Sequence, residues 1–372
     1  MNPFLINNYE APEYFCDRQS ETKTLTDNIA NNSHTAFFAQ RRLGKTALIQ
    51  HVFYLLKKKK QVCIYIDIYA TQNLKEFTNH LANAIYQVFP ANKSIGKKFL
   101  EALKLLRPVI SVDSMSGSPE LSLDITQPKQ FEKTIPQLLK FIDDQNIKAV
   151  IAIDEFQQIL NYPEKNTEAL LRTCVQQMKN VNFIFCGSNQ KMMHHIFNSA
   201  SRPFYASAKN INLKKIDKAI YASFIRKHFE QHKFKISSES LELILDLTCC
   251  HTYYTQRLCH EIFINAEKNV KPETVLLVLK SILNDNENMY FQYRNLLTSS
   301  QWTLLKAIAE EEKVEQPYSR KFLYGHRIGT PAHVKRGLES LVEKELIFFN
   351  VENSQSYFEV NDKFFMHWLS NK

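Results

Sequence analysis

The sequence predicts an α/β core, a parallel sheet with flanking helices, followed by an all-helical segment and then by three helices closed with a β-hairpin. Three observations carry this. An apolar run of strand type, Thr35-Ala36-Phe37-Phe38, enters a short polar loop ending in Gly44-Lys45-Thr46, and a helix-period pattern (Leu48, Ile49, Val52, Leu55, Leu56) leaves it. A second apolar run, Ala149-Val150-Ile151-Ala152-Ile153, ends in adjacent carboxylates, Asp154 and Glu155. Between them strand-like and helix-like stretches alternate, which is the rhythm of a parallel sheet.

Composition sets the outer bounds. A length of 372 residues, with 44% hydrophobic and 23% charged side chains, suits a soluble globular chain of two or three domains. The first ten residues lack the basic region and apolar run of a secretory signal, and no stretch reads as a membrane span. The expected location is therefore the cytoplasm, with no membrane partner. Seven cysteines without a CxxC pair argue against a disulfide framework or a zinc ribbon. Cys249, Cys250, His251, Cys259 and His260 lie in an apolar helical stretch, where thiols behave as small hydrophobes.

The net charge of +9 is unevenly placed. From Leu297 onward ten Lys and Arg balance ten Asp and Glu, so the excess lies in residues 1–296. Lys57 to Lys60 fit a solvated helix end opposing the C-terminal dipole, and a basic surface also suits an acidic partner such as nucleic acid.

In chain order, Leu25 and Ile29 mark a helix before the first strand. Residues 39–46 then follow the pattern Gly-x-x-x-x-Gly-Lys-Ser/Thr, with Ala39 in the first glycine position. Loop N–H groups and the N-terminus of the next helix favour a polyphosphate, so Ala39, Gln40, Arg41, Arg42, Leu43, Gly44, Lys45, Thr46 and Ala47 form the candidate cradle. Lys45 adds a point charge at the β- and γ-phosphates, and the Thr46 hydroxyl is a Mg²⁺ ligand. A Cβ at residue 39 forbids the freest backbone conformations, yet Ala fits if φ is negative.

Val62 to Ile68 reads as a strand buried on both faces, and Leu74 to Val88 as a helix. The stretch 107–127 breaks the rhythm as a β-hairpin insertion, Val109-Ile110-Ser111-Val112 against Leu121 to Ile125. A helix from Pro128 to Asp144 leads to Asp154 and Glu155. Alone, that pair reads equally well as helix N-terminal charge. Following a Gly-Lys-Thr loop, at the C-terminal end of a parallel strand, Asp154 is expected to hold Mg²⁺ and Glu155 to orient or deprotonate the attacking water. Val181 to Cys186 is a further strand whose end places Ser188 and Asn189 at the same sheet edge, as γ-phosphate contacts or as helix caps. Lys209 to Leu213 suggests a last short strand.

From Ile216 to Leu283 the pattern is helical. Leu297 to Trp368 then has the winged-helix order, helices at 300–309, 318–324 and 331–344 closed by a hairpin. Arg320, Lys321, Arg327, His333, Lys335 and Arg336 are placed to meet DNA phosphates, while the neutrality of this segment equally suits a protein partner. The expected division is a core at 1–213, a helical lid at 214–290 and a winged helix at 297–372.

Together these residues resemble the archaeal-type P-loop ATPases, within the signal-transducing group related to AAA-type ATPases. Asn2-Pro3-Phe4 and Phe15-Cys16-Asp17-Arg18-Gln19-Ser20-Glu21 resemble that family's opening "NPF" and its "F-x-x-R-x-x-E" box beside the adenine, which makes Arg18 a cofactor-binding candidate. Gln40 to Thr46 is similar to its "RRxGKT" loop, Ile153-Asp154-Glu155-Phe156-Gln157 to its "DEFQ" strand end, Cys186-Gly187-Ser188 to its sensor strand, and His251 to Gln256 to its "HPYYxQ" lid motif. The family often carries an Arg near Ser207; here Arg202 is the candidate sensor or arginine finger. The resemblance implies a P-loop NTPase core binding ATP and Mg²⁺, a lid and a winged helix, with an ATP-hydrolysing switch as the expected function. Double-stranded DNA or a protein is the expected partner, and oligomerisation is compatible. The competing reading is a non-hydrolysing, nucleotide-stabilised adaptor or DNA-binding regulator.

Overall fold

The computed structural model describes all residues except 1, 8, 113, 115, 116, 125–127, 266, 353, 354, 371 and 372. The chain divides into two compact units, Asn7–Lys215 and Met1–Ile6 with Ile216–Lys372.

In the first unit, α1 (Gln19–Ala30) leads to β1 (Thr35–Ala39), α2 (Lys45–Lys58), β2 (Val62–Asp67), α3 (Leu74–Val88) and α4 (Ser94–Ala102). A hairpin of β3 (Pro108–Val112) and β4 (Pro119–Leu123) follows, then α5 (Pro128–Asp143), β5 (Ala149–Asp154), a short 3₁₀ turn (Phe156–Asn161), α6 (Thr167–Gln177), β6 (Val181–Gly187), α7 (Gln190–Asn198) and β7 (Lys209–Leu213). Five strands form one parallel sheet in the order β2-β5-β6-β1-β7. Strands β1, β5 and β6 are buried along their whole length, whereas the edge strand β7 is mostly exposed. The purely apolar runs therefore sit in the middle of the sheet, as burial on both faces requires.

Period-two alternation divides each strand between two cores. Phe38, Ile66, Ile151, Ile153, Phe183 and Phe185 face the layer containing Phe77 and Leu81 of α3, Ile135 of α5 and Leu171 of α6. Phe37, Val150, Ala152, Ile184 and Cys186 face the layer containing Leu25 of α1 and Leu48, Ile49 and Val52 of α2. With strand order and register fixed in this way, the C-terminal ends of β1, β5 and β6 lie side by side.

The hairpin is antiparallel, with Ile110 opposite Leu121. Its β4 strand is tied to α3 through side chains: Leu121 N–H donates to Asn83 Oδ1 and Leu123 N–H to Asn79 Oδ1, both at 3.0 Å. Leu121 and Leu123 are buried, while Val109, Ile110 and Val112 of β3 are exposed. Residue 125 and part of the hairpin tip lie outside the described residues.

The second unit contains α8 (Lys218–Gln231), β8 (Lys235–Ile236), α9 (Ser238–Leu247), α10 (Thr252–Asn265), β9 (Asn269–Val270), α11 (Pro272–Asp285) and α12 (Glu287–Asn295). It continues with α13 (Ser299–Glu311), α14 (Arg320–Gly325), α15 (Pro331–Glu343), β10 (Ile347–Glu352), β11 (Gln355–Val360) and α16 (Lys363–Ser370). Helices α13 to α15 with the β10–β11 hairpin make the winged helix, and Val314 bridges to Phe358 of β11. The all-helical reading of 216–283 missed the short parallel pair β8–β9, and α12 and α16 were not foreseen. Helix α16 ties the two parts of this unit together: His367 Nε2 lies 2.6 Å from the Leu247 carbonyl, and the Phe364 and Tyr254 rings meet edge to face at 5.1 Å.

The opening residues pack in this second unit, not with the sheet. Phe4 is buried against Phe229, and Asn2 Nδ2 donates to the His260 carbonyl. The boundary between units falls after Lys215, and helical segment and winged helix fall on the same side of it. Among the described residues no helix is long and apolar enough to cross a membrane.

Candidate active site

The loop after β1 is shaped by two left-handed residues, Arg42 (φ 60) and Gly44 (φ 93). Gly44 is the N-cap of α2, and no side chain caps the first turn, so backbone N–H groups are available to an anion there. Ala39 is the last residue of β1, paired with Leu213 in extended backbone, and is not among the left-handed residues. Its Cβ therefore strains nothing.

The first side chain of α2 reaches across to the end of β5. Lys45 Nζ lies 2.5 Å from Asp154 Oδ1 and 3.1 Å from Glu155 Oε1. Thr46 Oγ1 donates to Asp154 Oδ2 (3.1 Å), and Tyr65 on the neighbouring β2 donates to the same oxygen (2.7 Å). Asp154 Oδ1 also accepts the Glu155 N–H at 2.9 Å. Glu155 itself stands at φ 55, and its Oε2 accepts from Gln157 Nε2 (2.5 Å), Ser188 Oγ (2.8 Å) and Ser188 N–H (3.3 Å).

These contacts decide the ionisation of the cluster. Burial alone would neutralise all three charged groups. For Lys45 the burial is outweighed by Asp154 and Glu155, which hold the amine above its ordinary value. For Asp154 burial is likewise overcome, by the Lys45 charge and the hydrogen bonds from Lys45 and Tyr65, and the carboxyl is held below the usual range. Glu155 follows the same pattern, with Lys45, Gln157 and Ser188 overcoming burial and the repulsion of Asp154. The cluster is thus one lysinium and two carboxylates.

The remaining sequence-predicted residues have other engagements. Arg18, at φ 67 and buried, donates to the carbonyls of Lys214 (2.6 Å) and Leu43 (3.5 Å) and pairs with Glu21. It braces the backbone of the loop. Asn189 caps α7, accepting the Met192 N–H at 3.1 Å. Arg202 is paired with Glu168 of α6, so the candidate finger is held by a carboxylate that sequence reasoning did not single out. Tyr65 was also missed, and finding it needs the β2–β5 adjacency, which no local pattern encodes. Gln157 stood in a quoted motif without a role.

The donor set fits the expected ligands. Thr46 and Asp154 offer the oxygen ligands a hard cation takes, which suits Mg²⁺. The uncapped turn beside Lys45 suits a polyphosphate.

Residues 15–257 match the model of an ATPase domain predominantly from Archaea, and residues 288–371 match that of a probable winged helix domain. No curated protein sequence matches the chain. Among solved structures, the Walker-type ATPase of Pyrococcus abyssi is similar over 99% of each chain, with a TM-score of 0.67 at 17% identity. The ORC2 protein of Aeropyrum pernix, solved in ADPNP and ADP complexes, is similar over 100% of this chain and 96% of its own, at a TM-score of 0.57 and 14% identity. The ORC1 protein of Aeropyrum pernix, solved in complex with DNA, gives 0.53 and 12% over the same shares. At such identities these structures establish the shared fold, a P-loop ATPase core with a winged helix at the C-terminus. The family match takes in well over half of the chain and every strand of the central sheet, and the chain belongs to the family of ATPase domains found predominantly in Archaea.

Proposed function

We propose that this chain is an ATP-binding and ATP-hydrolysing switch that passes its nucleotide state to a DNA- or protein-binding winged helix. The observation that carries the reading is the joining of loop and strand end: Lys45 and Thr46 are bonded to Asp154 and Glu155. In the proposed cycle Lys45 exchanges its carboxylate partners for the β- and γ-phosphates of ATP, while N–H groups of residues 44–47 hold the phosphate chain. Thr46 and Asp154 hold Mg²⁺, which when bound neutralises charge on the phosphate oxygens. Glu155 aligns a water and takes its proton as the water oxygen bonds to the γ-phosphorus and the bond to ADP breaks. Ser188 orients Glu155, and Arg18 braces the loop. Residues 251–256 and the helices around them are proposed to carry the nucleotide state onward. The winged helix would meet its partner through Arg320, Lys321, Arg327, His333, Lys335 and Arg336, all of which are exposed.

One observation favours the non-hydrolysing adaptor. Arg202, the candidate finger, is held by Glu168 of α6, a carboxylate outside the Asp154–Glu155 cluster. A single experiment separates the readings: wild type and Lys45→Ala are purified and denatured, released nucleotide is identified, and phosphate release from ATP is followed with and without duplex DNA. Nucleotide in wild type alone, with turnover that rises on DNA, supports the switch acting on nucleic acid. Nucleotide that is bound and never turned over favours the adaptor, and absence of nucleotide from both proteins overturns the reading.

A further inference from the structure

We infer that Gln157 is a positioning residue, which pins one oxygen of Glu155 so that the other is free to work; this rests on the hydrolytic reading above. The two oxygens of Glu155 are used differently. Oε2 takes all the neutral donors, from the Gln157 amide and from the Ser188 hydroxyl and N–H. Oε1 is met by Lys45, the group that an incoming phosphate chain would draw away. When Lys45 turns to phosphate, Oε2 stays anchored and the carboxylate cannot rotate about its last bond. Oε1 is then the oxygen presented to the attacking water, in a fixed orientation.

The local structure carries costs that packing alone does not explain. Glu155 is left-handed, and the 3₁₀ turn after it brings Gln157 back beside its carboxylate. The Gln157 side chain is 9% exposed, and its Oε1 is buried without a hydrogen-bond donor. An unsatisfied buried carbonyl destabilises a fold, and an apolar side chain of the same length would remove it. The sheet also makes room for this amide: a Cβ on Gly187 would come within 2.3 Å of Gln157 Oε1. Glutamine is explicable here if its amide N–H is the part that matters.

The test compares Gln157→Met, which keeps length and removes the donor, with wild type in the full chain. Phosphate release should fall about ten- to a hundredfold, while affinity for a fluorescent ADP stays within about twofold and the melting temperature does not drop. In a Glu155→Gln background the same change should cost nothing further, because its target is gone. If Gln157→Met fails to fold, Gln157→Glu keeps every heavy-atom position, replaces donor by acceptor, and should give the same loss of turnover. Unchanged turnover in either variant overturns the inference while leaving the ATPase reading standing. An equal loss in the Glu155→Gln background, or a parallel loss of ADP affinity, also overturns it. A wild-type protein that binds ADP and releases no phosphate overturns both.

Discussion

Two lysines are buried against carboxylates in this molecule, and they are not equivalent. Lys363, at the first turn of α16, is 0% exposed and its partner Glu359 is 2% exposed; Nζ contacts Glu359 Oε2 at 2.7 Å and the Val360 carbonyl at 2.8 Å. Lys45 is 8% exposed and shares two carboxylates, each with further donors of its own. Were Lys45 to leave, Asp154 would keep Thr46, Tyr65 and the Glu155 N–H, and Glu155 would keep Gln157 and Ser188. Burial of a charge does not mark function by itself. What marks the Lys45 site is that its two carboxylates stay satisfied when the lysine moves.

The largest expected effect tests the exchangeable cluster. Glu155→Gln should lower phosphate release by roughly 10²–10⁴-fold with nucleotide still bound, measured by single-turnover assay; a variant as fast as wild type would remove Glu155 from the chemistry. At the sealed pair the expectation is structural. Glu359→Ala strands a buried lysinium and should destabilise the unit by about 3–5 kcal/mol, with much of the loss restored by adding Lys363→Met. Urea denaturation of the full chain decides this, and a loss below about 1 kcal/mol would mean that Lys363 finds water.

A half-buried imidazole extends the comparison to titration. His34, just before β1, accepts the Phe183 N–H at 3.3 Å, and burial aided by the Arg172 charge pushes it down to about 4. In the unfolded chain it titrates near 6.5. The unfolded state therefore takes up the proton first, so the His34 contribution is complete above pH 6.5 and is lost as pH falls toward 4. The loss is on the order of 3 kcal/mol. Urea midpoints across that window should fall, and His34→Gln should flatten the dependence; equal slopes would assign it to other groups. The smallest effect is expected at Tyr65→Phe, which removes one of several donors to Asp154 and should slow phosphate release by a factor worth about 1 kcal/mol. No change in rate would mean that the other donors suffice to hold Asp154.

Much of the fold is legible because buried parallel strands write themselves as apolar runs. The runs at 35–39, 62–67, 149–154 and 181–187 are all strands of one sheet, and their carboxylate and hydroxyl ends mark its ligand edge. Helices failed where the pattern carried no face. In α16, Lys363, Phe364, Phe365, Met366, His367 and Leu369 are all buried, so no polar stripe remains to show a period. Helix α4, short and anchored by the buried Phe99, was not foreseen either. The site was legible at the level of residue types, Lys45, Thr46, Asp154 and Glu155. Tyr65 on Asp154, Gln157 on Glu155 and Glu168 on Arg202 were not, since each depends on strand order or on a side chain's direction, which sequence spacing does not encode.

The two asparagines of α3 that hold the hairpin have a consequence for solubility. Four residues along a helix rise about 6 Å, and two along a strand about 6.8 Å, so Asn79 and Asn83 match the spacing of the Leu123 and Leu121 N–H groups. The helix thereby imitates the edge of a neighbouring strand and uses up donors that another chain could otherwise pair with. Replacing both asparagines by alanine would leave those donors open along a strand with apolar neighbours, the kind of edge from which intermolecular sheets grow.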